Sequence, residues 1–416
     1  MPELRSVDDQ LARMLAAAAP LPPERIPTAE AAGRVLAEPV VARVAVPPFT
    51  NSAMDGYALR AADLDGLPDD GLVLPVAGDA PAGAAPATLP PGAALRIMTG
   101  APVPHGADTV VPVERTDQRP GPGPVPARIR FDERPAIDRN IRRAGEDVAA
   151  GDPVLAAGAR LTASALGAAI SVGAGEVAVH RRPRVAVVAT GDELDAPGAE
   201  LAPGRIPDSN SPMLAAMLRG FGCEVVRLPA TSDSVDEFVA ALERGAADCD
   251  LLVTTGGVSA GAFEVVRQAL EPRGVEFAGV AMQPGKPQGF GAVELGGRRV
   301  LAACLPGNPV SVFVSAHVLV RPLLARLEGE DAQPARVRAV AAHGWSSPRG
   351  RRQFAPAVLS PRVDGRLEAA LPHALGAKSH LIASLHLADC LVVVPEGVDA
   401  VAPGDQLDVL PLAAAR

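Results

Sequence analysis

Between residues 183 and 327, five apolar runs alternate with stretches of helical pattern: "RVAVVATGDE", "CEVVRLPATSD", "CDLLVTTGGVSAG", "VEFAGVAMQPGKP" and "RVLAACLPGNPVS". A strand that is apolar on both faces needs cover on both, and alternating helices supply it. The pattern therefore predicts a parallel α/β sheet wrapped by helices. Four of the runs end in a glycine-bearing loop and the second in a polar one. In such a sheet ligands sit beyond the carboxyl ends of the strands. That rule gathers "GDE", "TSD", "TGGVSAG", "QPGKP" and "PGNP" along one edge.

One of those loops holds an uncommon residue. The chain's 39 basic residues include only two lysines, Lys286 and Lys378. Arginine is a planar fork suited to bidentate pairing, whereas lysine is a compact, mobile point charge. Two readings of Lys286 stand: a cation kept because it must follow a small anion, or an exposed lysine without a role. A net charge of −9 and 3% aromatic residues, with no basic patch, argue against nucleic acid as a partner. Any anionic ligand must then be held by local geometry.

The rest of the chain divides by texture. At 416 residues it exceeds one core and suggests two to four domains. Residues 7–20 read as a short helix, and 26–42 offer Thr28 as the cap of another that stops near Gly33. Residues 151–178 return to helix and are expected to pack beside 7–42. Residues 45–147 break into short β-like pieces between Pro/Gly turns, which predicts an inserted small β domain. After a linker near 328–335 the chain returns to short strands, and a C-terminal β-barrel-like domain is expected. The boundaries read as 1–44 with 148–180, 45–147, 181–328 and 335–416.

The N-terminus carries acids where a signal peptide needs a basic start and an apolar run. The late apolar run "VSVFVSAHVLV" is about eleven residues against the roughly 18 needed to span a bilayer. Cys223, Cys249, Cys304 and Cys390 form no CxxC and read as reduced, buried thiols. The expectation is a cytoplasmic protein with no membrane partner.

Candidate site residues fall in loops. All four asparagines, Asn51, Asn140, Asn210 and Asn308, lie in polar loops with glycine, serine or acid nearby, though turns favour asparagine anyway. Asp55, Glu146, Asp147, Asp192, Glu193, Asp233 and Glu264 lie in similar loops. Acids beside glycine are commonly turn formers, yet the adjacent pairs in "GED" and "TGDE" suit Mg²⁺, which takes a few carboxylates plus substrate phosphate. Gly256, Gly257 and Ser259 lie in "TTGGVSAG", whose backbone N–H groups could accept an oxyanion ahead of a helix. Gly307 and Asn308 lie in "PGNPVS", with Pro309 placed for a first helical turn. Thr99, in "RIMTGAPVPHGADTVV", puts a hydroxyl where a ligand could meet it. The histidines lack zinc spacing.

Taken in order, "NSAMDGYA", "RIMTGAPVPHGADTVV", "NIRRAGED", "TGDEL", "DSNSPML", "TTGGVSAG", "PGKP" and "LPGNPVS" resemble the molybdopterin molybdenumtransferase family, the MoeA proteins, which is similar to the gephyrin E domain. The resemblance runs from about residue 26 to 416. It implies a MogA-like parallel-sheet α/β domain, a helical/extended dimerisation domain, the inserted β domain and the C-terminal domain. It also implies an elongated homodimer with its cleft between the sheet domain of one subunit and the β domain of its partner. The reaction implied joins adenylylated molybdopterin and molybdate, with Mg²⁺, to give molybdenum cofactor and AMP.

Carried over by motif, the resemblance makes Asp55, Thr99, Asp147, Glu193 and Lys286 catalytic, and Glu193, Asp233 and Glu264 metal-binding. Asn51, Asn210, Gly256, Gly257, Ser259, Gly307, Asn308, Arg351, Ser379 and Ser384 would bind substrate, with Lys286 and Arg351 on molybdate and phosphate. Molybdopterin adenylyltransferase and molybdoenzymes are the candidate protein partners. Two positions depart: Glu264 stands where many members have aspartate, and Gln283 where many have lysine, which removes a cation. The competing readings are the adenylyltransferase itself, whose chain resembles the sheet domain alone, and a non-catalytic gephyrin-like scaffold.

Overall fold

The computed structural model describes residues 4–229, 234–258, 264–330 and 335–412. Its central sheet has six strands in the order Glu224–Arg227, Arg184–Ala189, Leu251–Thr255, Arg298–Leu305, Pro287–Leu295, Val275–Gly279. Alternation along the buried strands divides the side chains between two cores. Val185, Val187, Leu251, Val253 and Ala303 enter one, while Ala186, Val188, Leu252, Ala302 and Cys304 enter the other. Both faces are apolar because both are covered.

The sheet is parallel except at one strand that sequence reading did not separate. Pro287–Leu295 runs antiparallel to both of its neighbours, so Val275–Gly279 regains the common direction. The reversal is made by Gly296 and Gly297, both at positive φ (55° and 73°) between the paired Leu295 and Arg298. A two-residue hairpin turn with positive φ at both centres favours such a pair. The carboxyl ends of all five co-directional strands thus share one edge.

The N-terminal helix, Val7–Ala16, is capped by Ser6, whose Oγ accepts from the Asp9 N–H at 3.0 Å. It ends earlier than the expected residue 20. It also packs elsewhere than expected: Val7 and Met14 enter the sheet core with Leu323, Leu324 and Leu327, not a core shared with residues 151–178. Asp8 accepts two bonds from Arg352 (2.7 and 2.8 Å), and Arg5 and Arg13 pair with Glu276. Amphipathic pattern shows that a helix has a face to bury, not which neighbour receives it.

Residues 26–42 are not an α-helix. Pro23–Pro27 forms a strand paired with Glu176–His180, followed by a single 3-10 turn at Thr28–Glu30. The Thr28 hydroxyl caps nothing; it donates to the Ala174 carbonyl at 2.6 Å. Leu36, Val40, Leu161, Val172 and Val179 form the small core of this extended region, over which the helix Ala163–Ser171 lies, capped by Thr162.

Residues 56–130 include a five-stranded sheet in the order Thr109–Pro112, Gly56–Leu59, Ala94–Ile97, Val73–Ala80, Arg128–Arg130. Tyr57, fully buried, packs edge-on against Phe131. In the C-terminal region, Arg352–Pro361, Leu367–Ala370, Val337–Ala341, Gln406–Pro411 and Cys390–Val394 close on themselves into a barrel. A short strand from the α/β region, Met282–Gln283, adds to the barrel in register with Arg352–Gln353. The segment that carries Lys286 therefore begins on the barrel and ends in the central sheet.

The continuous helical run Pro309–Leu327 is 19 residues long, longer than the apolar run noted in sequence, and apolar enough to cross a bilayer by length and composition. Most of its surface is buried here. Cys223, Cys249, Cys304 and Cys390 are all buried and free. Burial pushes the Cys304 and Cys390 thiols up to about 12.

Candidate active site

At the common strand edge, Thr190 N–H donates to the Thr255 carbonyl (3.1 Å) and Gly256 N–H to the Leu305 carbonyl (3.2 Å). The turns that follow need glycine. Gly256 has φ +89°, and a Cβ there would lie 2.7 Å from the Thr190 carbonyl oxygen. Gly257 has φ +62°, with a Cβ position 3.0 Å from Val266. The strands and turns enclose a cavity of about 340 Å³, with Glu193, Asp208, Asn210, Gly256, Glu264 and Gly307 among its walls.

Asn210 fixes the cavity from across the chain. Its Nδ2 donates to the Gly307 carbonyl at 2.7 Å, while its buried Oδ1 has no partner among the described residues. Among the described residues the hydroxyls of Thr190 and Thr255, two wall residues, are likewise buried and without a partner. Buried polar atoms are normally bonded, so these three are exceptions among the residues that wall the cavity. Asn308 has a structural duty: its Oδ1 accepts from the Val310 and Ser311 N–H groups (3.1 and 3.2 Å), opening the helix that Pro309 begins.

Charge makes this cavity unusual. Among the described residues its walls carry Glu193, Asp208 and Glu264 but no lysine or arginine. A phosphate-bearing ligand entering it would need a cation as mediator. No group of three or more His, Cys, Asp or Glu side chains among the described residues is placed to hold a metal alone. Glu193 and Glu264 in one wall nonetheless match Mg²⁺, which takes one or two carboxylates and completes its shell with water and phosphate.

The second cavity, of about 450 Å³, opens at the barrel and has the opposite character. Gln283, Ser346, Ser347, Arg351, Lys378 and Ser379 contribute to its walls, and no acid does among the described residues. Both lysines of the chain thus fall near this region, for the two cavities share one turn. Gln283 lines the cationic cavity and Pro287 the acidic one, and exposed Lys286 lies between. The turn is held from behind: Val280 N–H donates to the Lys286 carbonyl (2.7 Å), and buried Gln288 donates to the Gly285 carbonyl (2.7 Å) and Ser315 Oγ (2.8 Å). Among the described residues Lys286 makes no ion pair.

The structure distributes the candidate residues as follows. Glu193, Asn210, Gly256, Gly257, Glu264 and Gly307 line the acidic cavity, and Arg351 and Ser379 the cationic one. Asp233 and Ser259 lie outside the described residues. Ser384 donates to the Leu381 carbonyl at 3.2 Å and lines neither cavity. Asn51 is buried and donates to the Phe49 carbonyl at 3.2 Å. Asp55, Thr99 and Asp147 are exposed in or beside the inserted β region and reach neither cavity within this chain.

Asp55 and Thr99 do meet: the Thr99 backbone N–H and hydroxyl both donate to Asp55 Oδ1, at 2.6 and 2.8 Å. These two bonds hold the Asp55 carboxyl below its usual range. Sequence reading missed Thr190, Thr255, Asp208 and Gln288. Only Asp208 carried a signal, as the acid of "DSNSP".

Comparison with known proteins bears on the whole chain. Residues 5–173 match "MoeA N-terminal region (domain I and II)", 186–326 "Probable molybdopterin binding domain" and 338–412 "MoeA C-terminal region (domain IV)". The protein named molybdopterin molybdenumtransferase 2 of Mycobacterium tuberculosis is 45% identical, over 98% of this chain and 99% of its own length. The molybdopterin molybdenumtransferase of Haemophilus influenzae is 36% identical over 92% of each. A crystal structure titled as the molybdopterin biosynthesis moeA protein of Pyrococcus horikoshii superposes with a TM-score of 0.81 at 27% identity, covering 98% of this chain and 100% of that one.

Proposed function

We propose how this chain, which belongs to the molybdopterin molybdenumtransferase (MoeA) family, performs molybdenum insertion in molybdenum cofactor biosynthesis. The substrates are molybdopterin, delivered as its adenylate, and molybdate, and AMP is released. The observation that carries the reading is the pairing of an acidic and a cationic cavity on either side of the Lys286 turn.

In this reading the acidic cavity, walled by Thr190, Asn210 and Thr255 among others, takes the pterin adenylate. Glu193 and Glu264 would hold Mg²⁺, which would supply the positive charge that offsets repulsion between the acids and the phosphates. Arg351, Lys378 and Ser379 hold molybdate in the cationic cavity. Lys286, exposed and mobile on a fixed turn, follows the oxyanion toward the anhydride. A molybdate oxygen goes to the AMP phosphorus as the anhydride bond breaks, leaving the pterin phosphate, and the two dithiolene sulfurs take the places of two oxygens on molybdenum, the second oxygen departing as water with the two thiol protons. Preorganised charge beside a developing oxyanion is the main contribution such a site makes to rate.

Asp55, Thr99 and Asp147 enter this scheme through a homodimer in which the inserted β region of one protomer closes the cleft of the other. The chain is taken to work in the cytoplasm. The test is AMP release by the purified protein from adenylylated molybdopterin, with molybdate and Mg²⁺ varied separately. Release that requires molybdate supports the reading. ATP consumption with molybdopterin alone would assign the adenylyltransferase step instead, and no turnover under any condition would leave a scaffold.

A further inference from the structure

Arg351 and Arg352 are adjacent in sequence and opposite in fate. Arg352 bonds to Asp8 (2.7 and 2.8 Å) and pairs with Glu396 (2.9 Å), so its charge is spent on joining the barrel to the N-terminal helix. Arg351 forms no ion pair among the described residues; its Nη1 donates to Gln283 Oε1 at 2.8 Å. Gln283 is itself fixed, because its strand pairs in register with Gln353, whose Oε1 in turn accepts from Trp345 Nε1 at 3.0 Å. Ser347, 6% exposed and in the same wall, has a buried hydroxyl without a partner among the described residues.

We propose that Gln283 is a positioning residue that aims the Arg351 guanidinium into the cationic cavity while leaving its charge whole, and so sets the affinity for molybdate. A guanidinium can only donate, so it takes the amide oxygen and leaves Gln283 only its N–H groups to offer an oxyanion. A carboxylate at 283 would hold Arg351 equally well but cancel its charge. An apolar side chain would leave the charge but free the guanidinium to wander, and a lysine would repel it. The neutral acceptor is the one choice that both anchors and preserves. This inference rests on the assignment of the cationic cavity to molybdate.

The test measures molybdate binding calorimetrically to the full-length protein, with KM and kcat for molybdate alongside. Q283M should weaken molybdate binding about tenfold, the order expected for one charge-assisted bond, and raise KM for molybdate while kcat changes little. Q283E should weaken it further, and R351A at least as much as Q283M. In the double variant Q283M/R351A the loss should equal that of R351A alone, because Gln283 acts through Arg351. Losses that multiply, or unchanged binding in Q283M while R351A is impaired, would overturn the positioning role alone. Unchanged binding in R351A would overturn the molybdate assignment with it. Thermal melting of each variant separates these outcomes from misfolding, and Q283E, which retains an acceptor, reports on charge should Q283M fail to fold.

Discussion

Asn210 and Gly307, 97 positions apart, are joined by a 2.7 Å hydrogen bond that ties the start of one helix to the loop before another. The bond uses only half of the amide, and the other half, Oδ1, is buried and unpaired among the described residues. One residue thus closes the strand edge and forms part of the cavity wall.

Replacing Asn210 by Ala should therefore do two separable things. It leaves the Gly307 carbonyl without its donor, at a cost of about 1–3 kcal/mol in urea unfolding. It should also weaken binding of adenylylated molybdopterin. Asn210→Asp should bind worse than Asn210→Ala, since it adds a carboxylate to a wall that already has three acids.

Lys286 is exposed and its turn is held by Gln288 rather than by its own side chain. Lys286→Ala should fold and melt as wild type while turnover falls about a hundredfold or more, the loss typical of one preorganised charge stabiliser. Single-turnover AMP release checks the rate, and calorimetric melting checks the fold. Gln288→Ala should instead lower stability as well as activity, because it strands buried partners.

The turn at Gly256 tolerates nothing larger. With φ +89° and a Cβ position 2.7 Å from the Thr190 carbonyl oxygen, Gly256→Ala meets backbone strain and a backbone clash together. A loss of about 1–3 kcal/mol from the strained φ alone is expected in chemical denaturation, with cofactor synthesis reduced in step. Gly307→Ala should be milder, its nearest neighbour being 3.4 Å away.

Asp55 offers a pH signature. Its carboxyl lies below the usual value because Thr99 donates to its charged form twice. The sign follows from linkage: the contribution is fully present above the unfolded carboxylate value and is lost as pH falls through the lower folded value. Asp55 is therefore a carboxylate throughout neutral pH. Thr99→Val removes one donor and should move the Asp55 titration upward, measurable by side-chain carboxylate NMR, with a small loss of stability that is present at neutral pH and vanishes once the pH falls below both carboxylate values.

Much of this arrangement was legible in the residues, and what was not has physical reasons. The apolar runs announced the sheet because strands covered on both faces cannot be anything but apolar, and their loops announced the edge. The antiparallel strand Pro287–Leu295 stayed hidden because direction is set by the Gly296–Gly297 hairpin rather than by hydrophobicity. Thr28 looked like a helix cap, but the Ala174 carbonyl, 146 positions away, takes its hydroxyl. Thr190 and Thr255 read as ordinary strand residues, since an orphaned hydroxyl exists only once neighbouring strands have excluded water. The cationic cavity was equally invisible, for it forms where Gln283 of the α/β region meets Arg351 and Lys378 of the barrel region.

The central claim is that the oxyanion and the adenylate occupy different cavities joined by the Lys286 turn. Anomalous diffraction at the molybdenum edge from crystals of the protein soaked in molybdate tests it most directly. The account predicts a molybdenum peak within reach of Arg351 and Ser379, retained with sulfate as competitor at equal concentration and diminished in Arg351→Ala. A peak beside Glu193 and Asn210 in the acidic cavity, with none at Arg351, would contradict it.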